Sequence, residues 1–100
     1  MKIDNKLGMI AIALSEATLD KAERLSAKKQ ALRVQGVMTR DEFFTPLRQY
    51  AAAKKRVREA TTAYRKARGD WLKGFTPAPE AWVLEWLKAR GFDISDSPAS

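Results

Sequence analysis

The chain has no cysteine and no histidine among its 100 residues. The first absence excludes a disulfide framework, a thiol nucleophile and a thiolate metal site. The second removes the commonest metal ligand and the commonest general base. The twelve acids are too scattered to suggest a paired-carboxylate site or a metal cage. No catalytic residue, metal site or cofactor is assigned, and a non-enzymatic protein is expected. Long apolar runs are missing as well. The run "LGMIAIAL", Leu7 to Leu14, is too short to span a bilayer and is followed at once by charge. Asp4 sits where a signal peptide would be basic, and no small-residue cleavage site comes before the charges resume. The expectation is a soluble cytoplasmic protein that does not engage a membrane.

What is present is helix-forming and basic. A chain of 100 residues has room for one small domain. A hydrophobic fraction of 45% beside 31% charged residues indicates a folded protein with a thin core. The formal charge of +7, with a pI near 10.0, favours polyanions or acidic protein surfaces as partners. A charge of that size also serves solubility alone.

The apolar pattern predicts an all-α fold: a long antiparallel helical hairpin with a short third helix packed at its open end. The first helix is expected from about Asn5 to Val34. Ile3, Leu7, Ile10, Leu14, Thr18, Ala22, Leu25 and Leu32 fall on one side at about 100° per residue. Gln35 and Gly36 supply its stop. In "MTRDEF" the second helix has a capping box, Thr39 with Glu42, and a hydrophobic staple, Met38 with Phe43. Pro46 comes too late in that helix to be free of cost, so either a kink or a restart with Thr45 as cap is expected.

The second helix should continue to about Lys73 with a seven-residue repeat. Phe43, Tyr50, Val57, Tyr64 and Trp71 occupy one position, and Pro46, Ala53, Ala60, Ala67 and Gly74 stand three residues later. Large beside small lets a partner helix approach closely. Thr76 and Pro77 read as the cap and first residue of a third helix, which ends at Gly91 with Phe92 folding back on Leu87. Met9, Ile12 and Leu19 form a second apolar face on the first helix, to be covered by Trp82, Val83, Trp86 and Leu87 of the third helix or by a second protomer. The domain is expected over 1–92, with 93–100 a disordered acidic tail.

The charge is concentrated. Between Lys21 and Lys73 there are fifteen basic residues and five acidic ones. The basicity therefore belongs to the paired long helices and their link. The second helix gathers Lys54, Arg58 and Arg65 beside its apolar stripe, with Lys55 and Lys66 further out, where a helix built only for solubility would mix the signs. In an antiparallel hairpin Lys21 comes opposite Lys54, and Lys28 comes close to Leu47 and Arg48. Three readings of this face stand open: a solvated surface whose lysine stems cover apolar area, a nucleic-acid site, and a dock for an acidic protein.

Tyr50, Tyr64, Trp71, Trp82 and Trp86 provide rings of the kind that stack on bases, but all five sit on faces expected to point inward. No helix-turn-helix, zinc module or RNA-binding sheet motif is visible, so contacts should be through phosphates, insensitive to sequence and sensitive to salt. "RGD", Arg68 to Asp70, reads as a coincidence inside a helix, with Gly69 marking a bend or a close approach by the third helix.

A cysteine-free, basic helical hairpin of this size, with "TRDE" at a helix start and "EAWVLEWLKARG" closing it, resembles the small all-helical proteins of phages and mobile elements, among them anti-CRISPR proteins directed against type I systems. The resemblance covers general character over nearly the whole chain and transfers no functional residue. It implies a non-catalytic inhibitor that occupies a nucleic-acid path of an interference complex, such as the displaced single strand, or that imitates a ligand on a protein subunit. The basic face fits the former.

The functional expectation is a monomer binding nucleic acid, single-stranded DNA ahead of duplex, through Lys21, Lys28, Lys29, Lys54, Lys55, Arg58, Arg65 and Lys66, so as to block access by another machine. The runner-up is a protein-binding inhibitor or adaptor docking on an acidic subunit, or a homodimer through Met9, Ile12 and Leu19.

Overall fold

The computed structural model describes residues 5–94 and the backbone of Lys2 and Ile3. The fold is all-α, as expected. Helix α1 spans Lys6–Arg33, a short 3-10 turn covers Gln35–Val37, α2 spans Arg40–Leu72 and α3 spans Ala81–Ala89. The two long helices pack against each other. Two short segments, β1 (Lys2–Ile3) and β2 (Asp93–Ile94), pair in parallel with Lys2 opposite Asp93 and Ile3 opposite Ile94. None of the helices among the described residues is long and apolar enough to cross a membrane.

The helix ends follow from local chemistry. At the start of α1 the Asn5 side-chain oxygen accepts the Gly8 N–H at 3.0 Å, and the Asn5 carbonyl takes the Met9 N–H at 2.9 Å. The first bond satisfies a donor that an N-terminal turn leaves without a helical partner, and the second is the first regular bond of the helix. Ile3, counted with the apolar side of α1, lies before the helix in β1. At the start of α2 the Thr39 hydroxyl accepts the Glu42 N–H at 3.2 Å, which is the expected cap.

The expected restart at Thr45 does not occur, because α2 runs through Pro46 without interruption. The Thr45 hydroxyl instead donates to the Asp41 carbonyl at 2.7 Å, while Pro46 brings no N–H to the carbonyl of Glu42. Pro46→Ala should restore that donor and raise stability by about 1–3 kcal/mol. A urea melt reads this directly; a lower midpoint would mean that the ring's packing outweighs the bond it removes.

Helix α3 begins at Ala81 rather than at Pro77. The cause lies in "TPAP": each proline disfavours helical geometry in the residue before it, so Thr76 and Ala78 are held extended and helix becomes available only after Pro79. The backbone carbonyl of Glu80 accepts the first helical N–H, from Val83 at 3.0 Å. Its carboxylate accepts the Trp82 indole N–H at 2.8 Å. At the far end Gly91 takes φ +90°. The Phe92 N–H then reaches the Leu87 carbonyl, and the Gly91 N–H reaches that of Lys88, both at 3.0 Å. This is the Schellman stop expected from the sequence.

The chain forms two compact units, Met1–Ser15 with Ala60–Ser100, and Glu16–Glu59. In the first, Met9, Ile10, Ala13, Ala67, Val83, Leu87 and Ile94 make a buried cluster, with Ile12, Tyr64, Trp82, Trp86 and Phe92 packed against it. The third helix thus covers Met9 and Ile12, so that part of the face proposed for a homodimer is used within the chain. Ile94 is 7% exposed, which moves the boundary expected at 92: Asp93 and Ile94 belong to the fold, and 95–100 lie outside the described residues.

In the second unit the buried apolar side chains are alanines alone: Ala17, Ala31 and Ala53. Ala17 and Ala31 are two heptads apart on α1, with Arg24 between them, and Ala53 is buried in the same unit on α2. The fully buried positions are therefore small on both helices. Thr18 and Ala22, assigned to the inner stripe by counting large and neutral residues, are exposed, and so is Leu32. A seam of methyl groups gains little from burial, roughly 0.8 kcal/mol per CH₂-sized group, so long side chains beside it contribute cover.

Candidate nucleic-acid interface

Six of the eight predicted cations, Lys21, Lys28, Lys29, Lys54, Lys55 and Arg58, lie in the unit Glu16–Glu59. Arg65 and Lys66 lie in the other. Within the first, α1 returns as α2 with Arg24 Nη1 donating to Gln49 Oε1 at 3.2 Å. The Lys28 ammonium stands 4.8 Å from the centroid of the Tyr50 ring. The Lys54 ammonium, one turn further along α2, stands 5.6 Å from the same centroid. One ring thus gathers a cation from each helix, and each contact contributes about 0.5–1 kcal/mol at an exposed site.

Lys21 is two turns before Lys28, and the antiparallel register carries it level with the turn from Lys54 to Arg58. Lys21 and Lys28 are half-buried, while Lys54 and Arg58 are exposed. Long lysine stems of this kind cover apolar surface beside a seam of small residues. Lys29 and Lys55 are exposed and each is displaced by about 100° from its neighbour. They flank the cluster and do not share the Tyr50 ring.

Carboxylates do little to neutralise this face. Asp20 Oδ1 meets Arg24 Nε at 3.4 Å, and Glu59 Oε2 meets Arg56 Nη1 at 3.8 Å. Both pairs use cations outside the predicted set. Among the described residues none of the eight is engaged in an ion pair.

In the other unit Lys66 lines a cleft of about 160 Å³ with Asp70, Glu80, Ile10 and Thr76. It faces mixed charge there, which distinguishes it from the Tyr50 cluster. Arg65 is exposed. Of the five aromatic residues expected to point inward, Tyr50, Tyr64, Trp82 and Trp86 are half-buried. Trp71 departs from that expectation at 56% exposed. Sequence periodicity missed this because it continued the repeat through Gly74, which takes φ +87° and ends the helix. The glycine after "DWLK" was the available signal. Gly69 has nothing within 4 Å of where a side chain would begin, so it does not mark a close approach.

Comparison with protein-family models, with curated proteins and with solved structures finds no match to this chain.

Proposed function

We propose that the protein is a non-catalytic nucleic-acid-binding protein that favours single-stranded DNA over duplex and blocks access by another machine, such as a CRISPR interference complex. The observation that supports this is the Tyr50 cluster. Lys28 and Lys54 bring ammonium groups from two helices to one ring, with no carboxylate paired to either among the described residues. A phosphate beside that ring would meet two cations, and Lys21 and Arg58 extend the positive surface along the same unit. Duplex DNA presents phosphates equally well, but its bases are closed to an aromatic neighbour. A flexible strand follows a narrow hairpin and also offers its bases.

The test is a competition between single-stranded and duplex oligonucleotides of the same sequence for the protein at low salt. The proposal predicts micromolar or tighter binding, with the single strand displaced at least several-fold less readily than the duplex. Equal displacement would remove the strand preference, and no binding would remove the proposal.

A second reading, docking on an acidic protein subunit, is favoured by the tip of the hairpin. Val37 is 86% exposed, and the Arg40 guanidinium lies 5.7 Å from the Phe44 ring. Arginine and aromatic residues are common anchors at protein interfaces. Under this reading oligonucleotide binding is absent and Val37→Glu abolishes capture of the partner complex.

A further inference from the structure

The end of α2 presents two exposed aromatic residues, Trp71 and Phe75, and the exposure of Phe75 has a specific structural cause. Gly74, at φ +87°, lets the Gly74 N–H reach the Trp71 carbonyl at 3.0 Å and the Phe75 N–H reach that of Asp70 at 2.9 Å. This is the same stop that closes α3. In that motif the residue after the glycine normally packs on an apolar residue near the helix end. After Gly91, Phe92 has Leu87 there, and it joins the core. After Gly74 the equivalent position is Asp70, which offers no apolar surface. Phe75 is consequently fixed in its backbone and 65% exposed, and Trp71, four residues earlier in the chain, is 56% exposed.

Two arginines stand to one side of Trp71. At about 100° per residue, Arg65, Arg68, Trp71 and Leu72 fall within roughly 120° of the α2 circumference, and Arg65 and Arg68 are exposed. Asp70 projects from the opposite side of Trp71, where it lines the cleft with Lys66. We infer that Trp71 and Phe75 form a stacking platform for the bases of a single-stranded nucleic acid whose phosphates pair with Arg65 and Arg68. This inference rests on the nucleic-acid reading and adds a base-contacting site to it. Two planar rings beside two guanidinium groups match the alternation of base and phosphate in an extended strand. A bilayer would reward aliphatic area, and Leu72 is the one aliphatic side chain in this wedge.

The test compares wild-type protein with Trp71→Leu on two labelled strands of equal length: oligo(dT), and a strand of abasic sites with the same phosphates. Trp71→Leu should weaken oligo(dT) binding by about 5- to 100-fold, leave its salt dependence unchanged and leave abasic-strand binding unchanged. Oligo(dT) should also quench the tryptophan emission of the wild type and lose that effect in the variant. Equal oligo(dT) affinities for the two proteins would overturn this inference and leave the nucleic-acid reading standing. An equal loss on both strands would overturn it too, since stacking requires a base. Tryptophan emission that responds to phosphatidylglycerol vesicles but not to oligo(dT) would assign the patch to a membrane instead. Failure of the wild type to bind either strand would overturn both the inference and the reading beneath it.

Discussion

Leu87→Ala should lower the stability of the protein by about 2–5 kcal/mol, the range for removing a fully buried leucine side chain. Leu87 is 0% exposed and is, with Met9 and Val83, among the largest fully buried side chains of the described residues. It also joins the elements of its unit. Its side chain belongs to the cluster that holds Ile10 of α1, Ala67 of α2 and Ile94 of β2, and its carbonyl accepts the Phe92 N–H at the close of α3. For a domain of this size each kcal/mol moves the thermal midpoint by about 4–8 °C, so a drop of at least about 8 °C is expected in a melt followed by circular dichroism. A change below about 1 kcal/mol would mean that α3 contributes little to the stability of the fold.

The second large effect concerns binding and leaves the fold in place. Lys54→Glu combined with Arg58→Glu should weaken single-stranded DNA binding by about 100-fold or more at low salt and reduce the salt slope by about 1.4, two contacts at about 0.7 each. Both side chains are exposed, and the interaction that is lost, Lys54 with the Tyr50 ring, contributes only about 0.5–1 kcal/mol. The melt should therefore stay within about 1 kcal/mol of wild type. Unchanged affinity in the double variant would sink the assignment of this face.

The parts of the fold that were legible in the sequence are those with local chemistry. Thr39 with Glu42 and Gly91 with Phe92 mark helix ends by hydrogen bonds that nearby residues make among themselves, and the structure has both. The inner stripe of α1 was misread because periodicity gives weight to large residues. A close helix pair selects small ones, and Ala17 and Ala31 look unremarkable until Ala53 is set beside them as the other buried residue of their unit. The start of α3 at Ala81 lies beyond the expected one because each proline restrains the residue before it, Thr76 and Ala78, an effect that the reading of Pro77 as a first helical residue leaves out. The basic face was legible as a composition. Its convergence on Tyr50 was not, since it depends on the register between two helices. Trp71 was assigned inward by a repeat that the backbone abandons at Gly74.

The measurement that tests the central claim most directly is the affinity of the unmodified protein for a labelled single strand, by fluorescence anisotropy across a series of salt concentrations. The account predicts micromolar or tighter binding at low salt and a log–log slope of about −3 or steeper, as expected when four or more of the cations around Tyr50 contact phosphates. A flat slope, or no binding at the lowest salt, would contradict it and leave the basic hairpin as a protein-docking or purely solvated surface.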